Sequence, residues 1–400
     1  MIRLQDRIPG RKHKDVFALI HKRGVVSKQE LLESGDWTGS TLTRTLEELT
    51  SGGLIEEAGF GESTGGRRPI LYRSNPEYGY VFGLDISRMH SMLVLYDMHL
   101  NKLDSQRWMM TDTMTPDVFI ELVEGKAEAM LASRGIRPDS VIGMGIGAVG
   151  PLDRDSGTIL EPLYFPAPGW RNVEIAPELE ARLSIPVKLD NGANTALLGE
   201  QWASREQQYQ HVLYIHVGVG LRSSVMVGGK VVYGAVDMEG AIGQMIIQAD
   251  GPRMNAEGNY GSLEAYASIH ALEQHAIRSM KLGRESILSS LCEDPEKLQY
   301  SHLLEALGRR DSLSIELFTQ AASYFGVGLA NLLNILHPEK VILGGPLIAS
   351  DPLFFQTCTR IAVRNAYYYP AYQVMFSRGA LGDEALVTGA AAMMIDAMTV

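Results

Sequence analysis

Cysteine is nearly absent: Cys292 and Cys358 are the two in 400 residues, and they share no C-x-x-C or other pairing motif. That excludes a disulfide framework and a thiolate zinc site, and fits a reducing cytoplasm. No run approaches 18 apolar residues, so no segment reads as a membrane span. The opening stretch M-I-R-L-Q-D-R-I-P-G-R-K-H-K carries charge without the apolar core of a signal peptide. No G-x-x-x-x-G-K-[S/T] phosphate loop occurs. An excess of positive charge is missing too. The 36 Lys and Arg face 47 Asp and Glu, a net charge of −11, which argues against a surface coated for nucleic acid.

What is present is a soluble globular composition, 45% hydrophobic, in a chain long enough for two or three domains. Its charge is uneven. Residues 1–75 hold 12 Lys/Arg against 10 Asp/Glu, while the rest holds 24 against 37, so any DNA-binding part is N-terminal. The apolar spacing of Val16, Phe17, Leu19 and Ile20 predicts a helix over 14–22. Ser27 with Glu30 three residues on forms a capping-box signal for a second helix. A third starts after Thr38-Gly39-Ser40, buries Leu42, Leu46 and Leu49, and stops at Gly52-Gly53. Strands at Leu54–Glu57 and Arg67–Tyr72 flank a glycine-rich turn. Three short helices and a hairpin make a winged helix-turn-helix, whose third helix would enter the major groove. Ser40, Thr41, Thr43, Arg44 and Thr45 are then the exposed polar residues of the reading helix, and Arg67 and Arg68 sit on the wing. Hydroxyls and guanidinium groups there suit phosphate oxygens and base edges. Each taken singly could equally be a solvated surface residue.

The remainder repeats one theme. Tyr80–Ser87, Ser91–Asp97 and Leu103–Met109 are a strand–turn–strand–turn–strand unit, and Val212–Gly218, Ser223–Val227 and Lys230–Val232 are a second. Helices follow each: Thr115-Pro116 opens one to about Ser133, and Leu313–Leu336 is a long apolar one. This predicts two α/β lobes with a cleft between them. The strand Ile185–Leu189 leads into a helix beginning near Asn194, through a turn holding Asn191 and Gly192.

That turn, D-N-G-A-N-T-A-L-L-G-E, resembles the sugar-site turn of the ROK family of repressors, open reading frames and sugar kinases. G-I-G-A-V-G-P-L-D at 145–153, W-R-N-V at 170–173, G-A-V-D-M-E-G-A-I-G-Q at 234–244, H-P-E-K-V-I-L-G-G-P at 337–346 and G-D-E-A-L-V-T-G-A-A at 382–391 resemble further segments of that family, in order. The resemblance implies an actin/hexokinase-like (ribonuclease H-like) α/β body behind the winged helix-turn-helix. The expected division is 1–75, a first lobe at 76–197 and a second at 198–400, with the C-terminal helix returning to the first lobe.

The departures are as informative. Family kinases use the Asp of this turn as the base that deprotonates the sugar, and here that place is Gly192. The first phosphate loop, D-I-G-G-T-K in kinases, is Asp85-Ile86-Ser87-Arg88-Met89-His90; the second, G-T-G-I-G-G, is Gly218-Val219-Gly220-Leu221-Arg222-Ser223. Asn255, Glu257, Ser262 and Gln244 stand where the family often has its zinc-binding Cys and His, so no metal is expected. Of the implied sugar-gripping groups, Asn191 and Glu264 remain, while Ala241 and Gln244 replace a Glu and a His. Asn191, Asn194, Gln244 and Glu264 are the candidate effector-binding residues, with Tyr164, Trp170 or Tyr260 available to stack on a sugar. A general base contributes ~10²–10⁴ in rate, so losing it together with the triphosphate grip leaves no useful kinase. The expectation is a cytoplasmic repressor of carbohydrate genes, without catalytic residues, cofactor or metal, that binds an operator as a homodimer or dimer of dimers and answers a sugar-like effector. The alternative is an active sugar kinase with an added DNA-binding domain, in which Asp190 would have to act as base.

Overall fold

The computed structural model describes residues 4–62, 68–207, 209–237, 239–367 and 370–400. The chain packs as two compact units, Met1–Gln208 with Glu384–Val400, and Tyr209–Asp383.

The first unit opens with α1 (Arg11–Arg23), β1 (Val26–Ser27), α2 (Lys28–Ser34), α3 (Gly39–Ser51), β2 (Ile55–Phe60) and β3 (Ile70–Ser74). The three strands form an antiparallel sheet in the order β1-β3-β2. Local chemistry sets each start. The Ser27 hydroxyl accepts from the Glu30 N–H, and the Glu30 carboxylate accepts from the Ser27 N–H at 2.7 Å, completing the expected capping box. That backbone bond, with the Ser27 hydroxyl, holds the Glu30 pKa below its usual value. Thr38 caps α3 by accepting from the Thr41 N–H. Thr45 departs from expectation. It lies three residues after Leu42 and four before Leu49, on the apolar stripe, and it is buried rather than presented to DNA.

Then come β4 (Tyr80–Ile86), β5 (His90–Asp97), β6 (Lys102–Met109), α4 (Pro116–Arg134), β7 (Val141–Ala148), the small hairpin β8 (Leu152–Asp153) and β9 (Thr158–Ile159), α5 (Ile175–Leu183), β10 (Val187–Asn191) and α6 (Gly192–Ala203). The sheet order is β10-β7-β4-β5-β6, with β4, β7 and β10 mutually parallel and β5 and β6 antiparallel. β7 is buried along its whole length, as its apolar run requires.

The C-terminal helix (Ala385–Asp396) lies across this sheet and α6 at backbone contact. A methyl placed on Gly145 would sit 1.8 Å from the Ala390 carbonyl oxygen, and one on Gly389 would sit 1.6 Å from that of Thr195. Neither carbonyl can swing aside as a side chain would. Gly389→Ala is therefore expected to cost about 3 kcal/mol, the upper end for overpacking, read as a lower urea midpoint. A change below about 0.5 kcal/mol would mean that the two helices slide freely.

The second unit holds β11 (Val212–Val217), β12 (Leu221–Val227), β13 (Lys230–Val231), α7 (Glu264–Ala267), α8 (Ile269–Lys281), α9 (Leu288–Leu291), α10 (Tyr300–Gly308), α11 (Ser312–Leu336), β14 (Lys340–Gly344), α12 (Pro346–Ser350), α13 (Pro352–Asn365) and β15 (Met375–Ser377). Its sheet runs β13-β12-β11-β14-β15. One core joins Leu213, Ile215, Val217, Leu221, Val341 and Leu343 of the strands to Phe318, Phe325, Leu329 and Phe354 of α11 and α13. The repeated meander of the sequence is thus β4-β5-β6 in one unit and β11-β12-β13 in the other. Among the described residues no helix is long and apolar enough to cross a membrane.

Candidate functional site

On α3, Ser40 is exposed and Thr41 and Thr43 are half-buried. Thr43 donates its hydroxyl to the Gly39 carbonyl, and the Lys28 ammonium donates to Thr43. Arg44 is 81% exposed and donates from Nε to Glu48 at 2.7 Å; the other Glu48 oxygen lies 2.6 Å from His13 Nε2. The Arg44 hydrogen bond and charge, then His13, keep the Glu48 carboxyl below its usual pKa, and Glu48 in turn raises that of Arg44. Arg68 is exposed, whereas Arg67 lies outside the described residues. Lys28 and His13 join this surface without having been singled out in the sequence. Lys28 opens α2 and His13 lies on α1, so only the packing of the three helices brings them to α3.

The turn after β10 is buried. Asn191 is the N-cap of α6, accepting from the Ala193 N–H at 3.2 Å, so the helix starts at Gly192 rather than near Asn194. Capping chemistry sets that boundary: a side-chain oxygen satisfies the first free N–H. Asn194, one turn inside, donates to Asp190 Oδ1 at 2.9 Å. The same oxygen accepts from the Asn191 N–H at 2.7 Å and lies 3.9 Å from the Arg154 guanidinium. Gly192 leaves no carboxylate at its own place, and Asp190 is the acid of the turn, tied to Asn194 and the backbone.

In the loop between β4 and β5, Arg88 donates to the Leu163 carbonyl at 2.7 Å and lies 5.9 Å from the centre of the Tyr164 ring. A side chain anchored in this way fills space that a glycine pair would leave open. Trp170 is a correction to the stacking expectation. It is buried against Phe165 and Phe119 and donates its indole N–H to the Met114 carbonyl, so it belongs to the core. Tyr260 is exposed beneath Arg253.

In the second unit Gln244 and Glu264 lie on neighbouring segments. The Glu264 carboxylate is so close to Gly243 that a methyl there would meet it at 2.4 Å. Gln244 accepts from the Asn259 N–H at 2.8 Å, and Asn255 accepts from the N–H groups of Glu257 and Gly258. These amides close the loop by hydrogen bonds where metal ligands would otherwise do so. Among the described residues no three His, Cys, Asp or Glu gather as a metal site.

Residues 81–397 match the sequence model of the ROK family. The chain belongs to the ROK family. It is 27% identical to the xylose repressor of Caldicellulosiruptor bescii, over 96% of this chain and 95% of that one. It is 28% identical to a glucokinase of Thermotoga maritima, over 63% of this chain and 78% of the glucokinase. A crystal structure of a ROK family transcriptional regulator, a homolog of the E. coli MLC protein, matches with a TM-score of 0.79 at 20% identity and covers 98% of both chains, so the fold extends over the head as well.

Sequence reasoning missed the junction between the head and the rest of this ROK chain. His21 of α1 is buried, stacked on Phe17 and on Trp202 near the end of α6, the latter with ring centres 4.7 Å apart. Its Nδ1 lies 3.2 Å from the Ser74 hydroxyl, and the Arg205 guanidinium lies 4.2 Å from the centre of the Trp202 ring. Burial first, then the neighbouring His99 and Arg205, lowers the His21 pKa to about 3. Val16, Phe17 and Ile20 of α1 share one core with Met394, Ile395 and Met398.

Proposed function

We propose that this ROK chain is a DNA-binding transcriptional regulator, a repressor of carbohydrate-related genes in the cytoplasm, controlled by a sugar-like effector and without kinase activity. Residues 1–75 read DNA through Ser40, Thr41, Thr43, Arg44, Arg67 and Arg68. Asn191, Asn194, Gln244 and Glu264 grip the effector's hydroxyls. The observation that carries this reading is α6. It begins at the capped Asn191–Asn194 turn and, about 15 Å on from Gly192 at 1.5 Å per residue, presents Trp202 to His21 of the head. Backbone contact with the C-terminal helix makes the pair a stiff link from an effector turn to a DNA-reading head. An effector shifts such a link only by binding its two positions unequally. Two-fold dimers, or dimers of dimers, would place heads on half-sites about one DNA turn (~10 bp) or its multiples apart. The full-length likeness to a xylose repressor supports the same reading.

Gel retardation on the gene's own upstream DNA, with and without a panel of sugars, amino sugars and sugar phosphates, tests it. A retarded complex that one class of sugar dissolves is the expected result. Retention of no genomic fragment at moderate salt would refute it. The kinase reading keeps one supporting residue, Asp190, and predicts sugar-dependent ATP turnover that Asp190→Asn abolishes. With Gly192 at the base position and Arg88 anchored across the first loop, we expect turnover at background in both proteins.

A further inference from the structure

The helix α3 carries two carboxylates, Glu47 and Glu48, against one arginine, Arg44. That is a poor balance for a helix placed among phosphates, where each acidic group meets like charge. An exposed ion pair one helical turn apart contributes too little to folding to explain it. For Glu48 the geometry supplies another reason. One of its oxygens accepts from Arg44 Nε at 2.7 Å, and the other lies 2.6 Å from His13 Nε2. An ionised carboxylate only accepts, so the His13 ring carries a proton on Nε2 and donates it there.

His13 is held from below. It lies three and four residues before Val16 and Phe17, at the start of the buried stripe of α1, and its side chain is 19% exposed. Such a ring does not itself reach DNA. The Glu48 side chain is more open, and that of Arg44 stands in solvent. The three therefore run outward from the core of the head: an anchored ring, a carboxylate, a guanidinium. Engaging Nε fixes the plane of the guanidinium and leaves both terminal nitrogens at its open end, the pair that meets guanine O6 and N7 or two phosphate oxygens. An unheld arginine has to be ordered on binding, which weakens the complex.

We propose that His13 is a positioning residue for DNA reading: through Glu48 it aims the Arg44 guanidinium before DNA arrives. This rests on α3 entering DNA as proposed above, and adds what gives that contact its sequence preference. Glu48 then has a double effect, because the carboxylate that aims Arg44 also repels the phosphates of every sequence alike.

The full-length protein is titrated, at one pH and one salt, against the gene's own upstream fragment and a scrambled fragment of equal length. Discrimination is the ratio of the two affinities. Glu48→Ala is expected to bind the scrambled fragment about threefold more tightly, a carboxylate having left each head. Its discrimination should fall about tenfold, since an arginine in each of two heads must now be ordered on binding. His13→Ala keeps the carboxylate, so affinity for scrambled DNA should stay within about twofold while discrimination drops about fivefold. His13→Gln puts an amide nitrogen near the place of Nε2 and should recover most of that loss. A merely destabilised head would weaken both fragments in parallel and tighten neither. If Glu48→Ala and His13→Ala discriminate as the wild type does, or if His13→Gln recovers nothing, the positioning role is refuted and the regulator reading stands. A wild type that holds the two fragments alike has no preference to aim, and refutes the role as well. If it holds neither, both readings fall. Should His13→Ala not fold, Glu48→Ala and His13→Gln still decide.

Discussion

With Arg44 and Arg68 both replaced by alanine, affinity for the operator falls about a thousandfold at physiological salt. Each arginine contact to a phosphate or base edge is worth on the order of 1 kcal/mol or more, and a two-headed complex loses four of them. Arg44 stands 81% exposed near the middle of α3, and the Glu48 bond engages its Nε, leaving the terminal nitrogens of the fork to reach outward. Salt separates this from unfolding. Losing phosphate contacts flattens the slope of log affinity against log salt by roughly 0.9 per contact, whereas a misfolded head abolishes retardation at every salt. A double variant that binds within about threefold of the wild type would remove α3 and the wing from the interface. Single variants are expected to fall between the two, with Arg44→Ala relaxing sequence preference and Arg68→Ala weakening all sequences alike.

Acidification gives the second large effect, through His21. Its folded pKa of about 3 lies below the 6.5 of an ordinary histidine, so between those values the unfolded chain takes up a proton that the folded chain refuses. Stability from this residue is complete above pH 6.5 and declines as pH falls toward 3. Taking 1.36 kcal/mol per pH unit, the loss between pH 7.5 and 5 is roughly 2 kcal/mol. His21→Gln keeps a hydrogen-bonding partner for Ser74 and cannot take up that proton. Urea unfolding at pH 7.5, 6 and 5 should therefore show a shallower pH slope in the variant by about that amount. Equal slopes would mean that water reaches the ring despite its stack on Trp202. Trp202→Leu complements this measurement: it should leave operator affinity in the absence of sugar nearly intact while blunting release by effector.

Local chemistry made much of this legible in the sequence. The capping box of Ser27 and Glu30, the apolar stripe of α3, the paired meanders and the glycine-for-aspartate change at Gly192 depend on residues a few positions apart. The misjudged details were those decided at long range or by competition within a turn. Thr45 and Trp170 look exposed or ligand-facing until their neighbours are known, and both belong to cores. Asn191 and Asn194 stand in the same turn, and which of them caps the helix follows from the buried bonds to Ala193 and Asp190. His21 and Trp202 are far apart in the chain, and nothing near either one signals a stack. Arg222 stands beside two glycines in the sequence, and its burial follows only from the folded sheet.

The core beneath α1 has a consequence for biogenesis. Met394, Ile395 and Met398, which floor Val16, Phe17 and Ile20, are translated long after α1 has left the ribosome. Until they emerge, the head presents an open greasy underside, so a nascent chain holds its reading helix on an unfinished support. The core of the head is therefore completed only once the C-terminal helix has been made.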